Sequence, residues 1–304
     1  MDKTNSSIKE VEKKIGALDS NLITDWPQLA SLYINLAKLY LKGENEEKAY
    51  DEAQKAFFYM FLDNEPYTGK TIFSFRSFSE YSIKDIAEQK VSLSHPSQFN
   101  DPLDTIFIRW LEKEIEQGGK DKDDKDVFYF LYRASQFLKV RCFVEENEAR
   151  KKNERIPVET LSPLMWAHYA DSHKGFCAEY EIPEAYVKKN LSNLSFLRFG
   201  KVIYKDSLAN IDKMSLDEAL LWKSSIWSYE HEFRLINLDF KTDNNFTEVD
   251  APKLKAIYLG LKCSAENEDK MKVALRTVKN QNVKLYRMEY DKTDFGEIKA
   301  KRIW

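Results

Sequence analysis

The sequence predicts an α+β fold: a mixed or antiparallel sheet core behind a helical N-terminal segment. Three observations carry this. Residues 1–66 show apolar side chains at helical spacing. From residue 67 to 304, strand-like alternation and helical periodicity interleave irregularly, unlike a regular βαβ series. No GxGxxG or GxxxxGK[ST] run follows a strand, so neither a Rossmann unit nor a P-loop is indicated. The boundary between the helical segment (1–66) and the α+β domain (67–304) falls at the turn Pro66–Lys70, where the composition changes.

In the first helical segment Ile8, Val11, Ile15 and Leu18 recur on one face. The second runs from about Pro27 to Lys42 with Leu29, Leu32, Tyr33, Leu36, Ala37 and Tyr40 together, and the third from Glu46 to Leu62. Thr71–Phe78 alternates like a strand, Ser79–Gln89 reads as a short helix, and Val91–Ser94 as a second strand running into the loop Pro96–Asp104. Ile106–Gln117 reads as helix, Gly118–Asp126 as a solvated loop, Val127–Glu148 as strand then helix, and Arg150–Pro157 as a charged connection. Phe176–Tyr180 alternates. A helix follows at Glu184–Lys189, then a strand at Phe199–Tyr204 and a helix ending near Trp222–Ile226. The pattern closes with strands at Tyr229–Leu238 and Lys255–Leu259, a helix at Ala265–Lys279, and a strand at Lys284–Tyr290 that extends towards the C-terminus.

Composition excludes several classes. At 43% apolar residues the chain buries a real core rather than remaining disordered. A net charge of −3 announces no nucleic-acid face, and no apolar run reaches the length of a membrane span. Three widely spaced cysteines fit reduced thiols, and the polar start lacks the apolar core of a secretory signal. Together these predict a cytoplasmic protein.

All four histidines fall in three dense stretches, Phe73–Asp104, Ser162–Tyr180 and Trp222–Ile236, which marks where the chemistry lies. In a strand, Glu230, Glu232 and Arg234 share one face while Phe233 and Leu235 turn to the core. Two neighbouring carboxylates beside an arginine suit a general base or the stabilisation of an oxocarbenium-like centre, and equally a solvated strand edge. Arg76, set among Phe73, Phe75 and Phe78, is either ligand-facing, its planar fork suiting a pyrophosphate, or held in an ion pair. Ser94, His95, Asn100 and Asp101 form a polar loop in which Asn100-Asp101-Pro102 also reads as a plain turn. His168, Tyr169 and His173 beside Trp166 supply acid, base or stacking groups. A metal site from His168, His173 and a carboxylate is the other reading, although no HExxH run is present. Cys177 reads as a small core residue.

Phe75–Phe78, Leu93–Asp104, Met165–Tyr180, Trp227–Ile236 and Ile257–Asn267 together resemble the bacterial domain of unknown function 2971 family over about residues 70–304. Tyr33, Leu36, Ala37, Tyr40, Ala49 and Ala56 resemble one tetratricopeptide hairpin, which implies a protein partner for residues 1–66. Arg76, then Ser92-Leu93-Ser94, then Glu230-His231-Glu232 resemble in order the R-S-E class of ADP-ribosyltransferases. That resemblance implies an ADP-ribosyltransferase-like fold with NAD as substrate and no metal. Glu232 would stabilise the cationic ribose while Glu230 positions the acceptor, and Arg76 and Ser94 would bind the cofactor. Trp166 or Tyr169 would stack on the nicotinamide. Asn100, His173 and Arg234 complete the expected binding set, and His168 the catalytic one. The acceptor would be a protein, a nucleic acid or water, in a bacterial toxin or phage-defence setting. A metal-assisted hydrolase or nuclease built on His168, His173 and the glutamates, and a non-catalytic ligand-sensing module, are the alternatives.

Overall fold

The computed structural model describes residues 3–20, 25–60, 67–104, 106, 113, 116, 135–146, 163–187, 197–207, 220–238, 245–278, 282–291 and 298–304. Three helices open the chain: α1 (Lys3–Ile15), α2 (Trp26–Lys42) and α3 (Glu46–Met60). Ala37, Ala49, Ala53 and Ala56 are buried, small side chains that let α2 and α3 approach closely. Tyr33 stacks on Tyr59 with centroids 5.6 Å apart. An edge contact between Tyr50 and Phe137, at 5.9 Å, ties α3 to the sheet-bearing remainder.

The next strand, β1 (Thr71–Arg76), leads into helix α4 (Glu80–Glu88). Reciprocal hydrogen bonds start that helix: Ser82 N–H donates to Ser79 Oγ at 3.0 Å, and Ser79 N–H to Ser82 Oγ at 2.9 Å. Gln89, left-handed at φ 55°, ends it and turns the chain into β2 (Lys90–Ser94). Then come β3 (Leu138–Glu145), α5 (Pro163–Tyr169), β4 (Phe176–Glu181), β5 (Leu197–Lys201), β6 (Ile203–Lys205) and β7 (Trp222–Ser224). The chain closes with β8 (Glu232–Leu238), β9 (Phe246–Asp250), β10 (Lys253–Leu259), α6 (Ala265–Thr277), β11 (Lys284–Tyr290) and β12 (Ile298–Arg302).

The main sheet runs β12-β11-β10-β4-β1-β3-β2-β9, with β8 on β3 and β5 on β8. Only β10–β11 is parallel within it, so the fold is α+β with a mixed sheet. The strand β3 is a fork. One edge pairs with β8 from Leu138↔Leu238 to Val144↔Glu232. The other takes β1 at Phe73↔Val144 and Ile72↔Glu145 and β2 at Ser94↔Val140, so the sheet is open beside residues 141–143. Ile72, Phe143 and Tyr180 bury one face under Ile86 of α4 and Met271 and Leu275 of α6. Phe73, Phe75, Val144, Cys177 and Tyr258 bury the opposite face, against Met165 and Trp166 of α5. The period-2 alternation of β1 assigns its residues to these two cores.

Three expectations are corrected. The strand expected over Tyr229–Leu238 begins only at Glu232: Ser225–Glu230 is a 3₁₀ segment, and His231, left-handed at φ 46°, breaks the pleat between the two glutamates. The helix expected to end in the Trp222–Ile226 region ends at Leu221, because Trp222–Ser224 pairs in parallel with β6, and that tertiary pairing overrides local periodicity. The expected strand Phe199–Tyr204 is interrupted at Val202, whose N–H donates instead to the Glu232 carbonyl at 3.0 Å. The expected loop 118–126 and the connection 150–157 lie outside the described residues, as do most of the helix at 106–117 and the first part of 127–148.

Candidate active site

A cavity of about 380 Å³ lies on the α5 side of β3, beside the fork. Phe73, Phe75, Val140, Cys142, Val144 and Phe99 line its apolar part. Its polar part comes from five separate segments: Ser94 to Asp104 from the end of β2, Arg141 of β3, His168 and Tyr169 of α5, Lys223 of β7, and Glu230 with Glu232 around the start of β8.

Lys223 organises the polar wall. Its Nζ donates to Glu230 Oε2 at 2.6 Å and to Glu232 Oε2 at 2.7 Å, and lies 3.5 Å from Asp104 Oδ2. Arg234 closes the network from behind, donating through Nε to Glu232 Oε1 at 2.7 Å and through Nη2 to Asp104 Oδ1 at 2.5 Å. Its Nη1 caps the Leu220 carbonyl at 2.7 Å. All five side chains are buried. Burial alone would raise the Glu232 pKa, but Arg234 and Lys223 outweigh it and hold the carboxylate down to about 2. Burial likewise works to lower Lys223, yet Glu232, Asp104 and Glu230 raise it above the usual ammonium range. At Asp104 burial wins over the pull of Arg234, and its pKa rises. Three carboxylates face two cations, so the fully ionised wall carries one excess negative charge. Tyr169 donates its hydroxyl to Glu230 Oε1 at 2.6 Å, and Tyr204 Oη accepts the Glu232 N–H at 2.8 Å.

The helix α5 is held over the cavity by an unusual turn. Asp171, Ser172 and His173 all have positive φ (45°, 52° and 69°), a conformation costing non-glycine residues about 1–3 kcal/mol each. Backbone bonds compensate: His173 N–H donates to Trp166 O at 3.1 Å, Gly175 N–H to Ala170 O at 2.8 Å, and Lys262 N–H to His173 O at 2.9 Å. Gly175 is required by close approach, since a Cβ there would meet the Arg76 carbonyl oxygen at 2.1 Å. Gly175→Ala is therefore expected to cost about 3 kcal/mol or more, the upper end of overpacking penalties, because the opposing atoms are backbone. Urea denaturation checks it; a loss below 1 kcal/mol (the lower end of that range) would disprove the contact.

Of the residues singled out from sequence, Glu230, Glu232, His168, Tyr169, Ser94 and Asn100 line this cavity together. Four do not. Arg76 is bound to Asp85 at 2.6 Å, an ion pair under α4 that also receives Ser92 Oγ at 2.9 Å. Trp166 is fully buried in the core, edge-on to Phe75 at 5.1 Å and stacked on His173 at 6.1 Å. His173 serves the left-handed turn, and burial, with Lys262 nearby, lowers its pKa. Arg234 acts from behind Glu232 rather than at the cavity surface. His95 is also buried, with its Nε2 3.2 Å from the Ser135 carbonyl and its pKa lowered by burial.

Sequence reasoning missed Lys223 and Asp104. Lys223 sat inside a dense motif, but a helical reading of that stretch hid it. Asp104 ended another motif, 130 residues from its arginine partner. A lysine between tryptophans and the acid-rich Tyr229–Glu232 was the available signal. Among the described residues no group of three or more His, Cys, Asp or Glu side chains is arranged to hold a metal ion, and no helix is long and apolar enough to cross a membrane.

No curated protein and no solved structure matches the chain. Residues 165–235, the stretch that supplies His168, Tyr169, Lys223, Glu230 and Glu232 to the cavity, match the family described as Protein of unknown function (DUF2971).

Proposed function

We propose that this chain cleaves the N-glycosidic bond between ribose and nicotinamide in NAD and passes the ADP-ribose to a macromolecule or to water. The observation that carries the reading is Glu232, a buried carboxylate at the wall of the cavity, kept ionised by Lys223 and Arg234. A carboxylate so far below neutrality is a poor proton acceptor and a good fixed charge. As the C1′–N bond breaks, its electron pair neutralises the pyridinium nitrogen and leaves a cationic ribose. The excess negative charge of the wall stabilises that cation. The incoming oxygen adds at C1′ and gives its proton to a base beside it, a role we give to Glu230 or His168, both of which line the cavity. Tyr169, whose hydroxyl pKa is raised by burial and then by Glu230, remains neutral and orients that glutamate.

A metal-assisted hydrolase fits less well. Each wall carboxylate already has a protein cation as partner, and a metal ion would have to displace Lys223 or Arg234. The N-terminal hairpin, tetratricopeptide-like in its buried alanines, would dock a protein acceptor or regulator. The test is nicotinamide release from NAD by wild-type protein, with cell lysate present as a source of acceptors and EDTA added in parallel. Release unaffected by EDTA is expected; none at any NAD concentration up to the millimolar range overturns the reading.

A further inference from the structure

Two charge clusters flank the same cavity, and they have opposite excess. The wall around Lys223 holds three carboxylates and two cations. At the fork of the sheet, Arg76 and Arg141 lie near the carboxylate of Asp85, which pairs with Arg76 alone. Asp85 is already saturated: Arg76 binds Oδ2 at 2.6 Å, and Ser92 Oγ lies 2.9 Å from both oxygens. Arg141 has no carboxylate within ion-pair distance among the described residues; its Nη2 donates to Ser74 Oγ at 2.6 Å.

Strand alternation puts Arg141 on the face opposite Cys142 and Val144, yet it lines the cavity with them. The open register explains how. β1 leaves β3 after Phe73↔Val144 and β2 pairs with it only at Ser94↔Val140, so among the described residues no strand pairs with the edge between. Arg141 is half-buried there, bridging across the opening to Ser74 of β1. A half-buried cation with no carboxylate beside it has lost part of its hydration, and a planar guanidinium is well matched to phosphate oxygens.

We propose that Arg141, and not Arg76, holds the phosphate or pyrophosphate group of the ligand at the fork of the sheet. The assignment rests on the NAD reading for the ligand's identity but stands on its own geometry. A ligand with a phosphate at one end and a developing cation at the other matches a cavity that is positive at the fork and negative at the Lys223 wall.

The test is calorimetric binding of ADP-ribose to wild type, Arg141→Lys and Arg141→Gln, with nicotinamide release from NAD read on the same samples. Loss of one charge-assisted pair is expected to weaken ADP-ribose by about 10- to 100-fold in Arg141→Gln, and by a smaller factor in Arg141→Lys. If Arg141→Gln fails to fold, phenylglyoxal labelling of wild type decides: saturating ADP-ribose must slow the modification of Arg141, mapped by mass spectrometry. Equal affinity in the glutamine variant, no ADP-ribose binding to wild type, or labelling of Arg141 that ADP-ribose leaves unslowed overturns the assignment. Weakened ADP-ribose binding in the variant, with no NAD turnover by wild type, overturns the reading of the reaction and leaves Arg141 in place.

Discussion

Glu232→Gln is expected to lower nicotinamide release by about 10²–10³-fold, the usual loss when one preorganised electrostatic group is removed from a reacting centre. Glutamine keeps the shape, and its single carbonyl oxygen can still accept from Arg234 Nε, but its NH2 group takes the place of the oxygen that accepted from Lys223 Nζ; both donors lie 2.7 Å from the carboxylate. What it loses is the charge, and with it the excess that, in the proposed reaction, would stabilise a cationic ribose. The fold should tolerate this change. With Glu232 neutral, Asp104 and Glu230 balance Lys223 and Arg234, so no cation is left alone in the interior. A drop in kcat, with a loss of stability smaller than that of Lys223→Met, is the expected pattern. Activity within threefold of wild type would remove Glu232 from the chemistry.

Lys223→Met is expected to act mainly on stability, by about 3–5 kcal/mol, the range for breaking a buried ion network by removing one partner. Three buried carboxylates would then share Arg234 alone. Chemical denaturation at pH 7 checks the size and the order: Lys223→Met should cost more than Glu232→Gln, and the reverse order would mean that the lysine is not the hub. The pH dependence supplies an independent reading. The Glu232 pKa is depressed from 4.5 to about 2, so its contribution is complete above the unfolded value and is lost as pH falls through that window. The Lys223 pKa is raised above 10.5, so its contribution is complete below that value and is lost only as alkaline pH passes the folded pKa. Asp104, raised above 3.8 by burial, has the opposite sign and weakens the fold as pH rises through its own window. In Lys223→Met, Glu232 keeps one of its two depressing cations, and its acid transition should move to higher pH.

Much of the architecture follows from local pattern. Strands β1, β4, β10 and β11 and helices α4 and α6 lie where alternation and helical spacing place them. A period of two or of 3.6 residues is written into a short stretch, so it survives without tertiary information. The same holds for six cavity residues, which stand out because histidine, serine, asparagine and paired glutamates are rarely clustered without reason.

The assembly of charges was decided elsewhere. Glu230 and Glu232 were expected side by side on one strand; instead His231 breaks the pleat, and the two carboxylates meet only because Lys223 bridges them. Arg76 needed a partner, but only the docking of α4 shows that Asp85 takes it, leaving Arg141 as the cation at the cavity. Asp104 and Arg234 are joined across 130 residues by the fork of the sheet around β3. Coulomb attraction depends on distance in space and on burial, and neither is encoded in spacing along the chain. By itself the sequence determined which segments are strands and helices and where the reactive side chains gather. The tertiary structure alone decided which charges face each other, and so which of them remain free to meet a ligand.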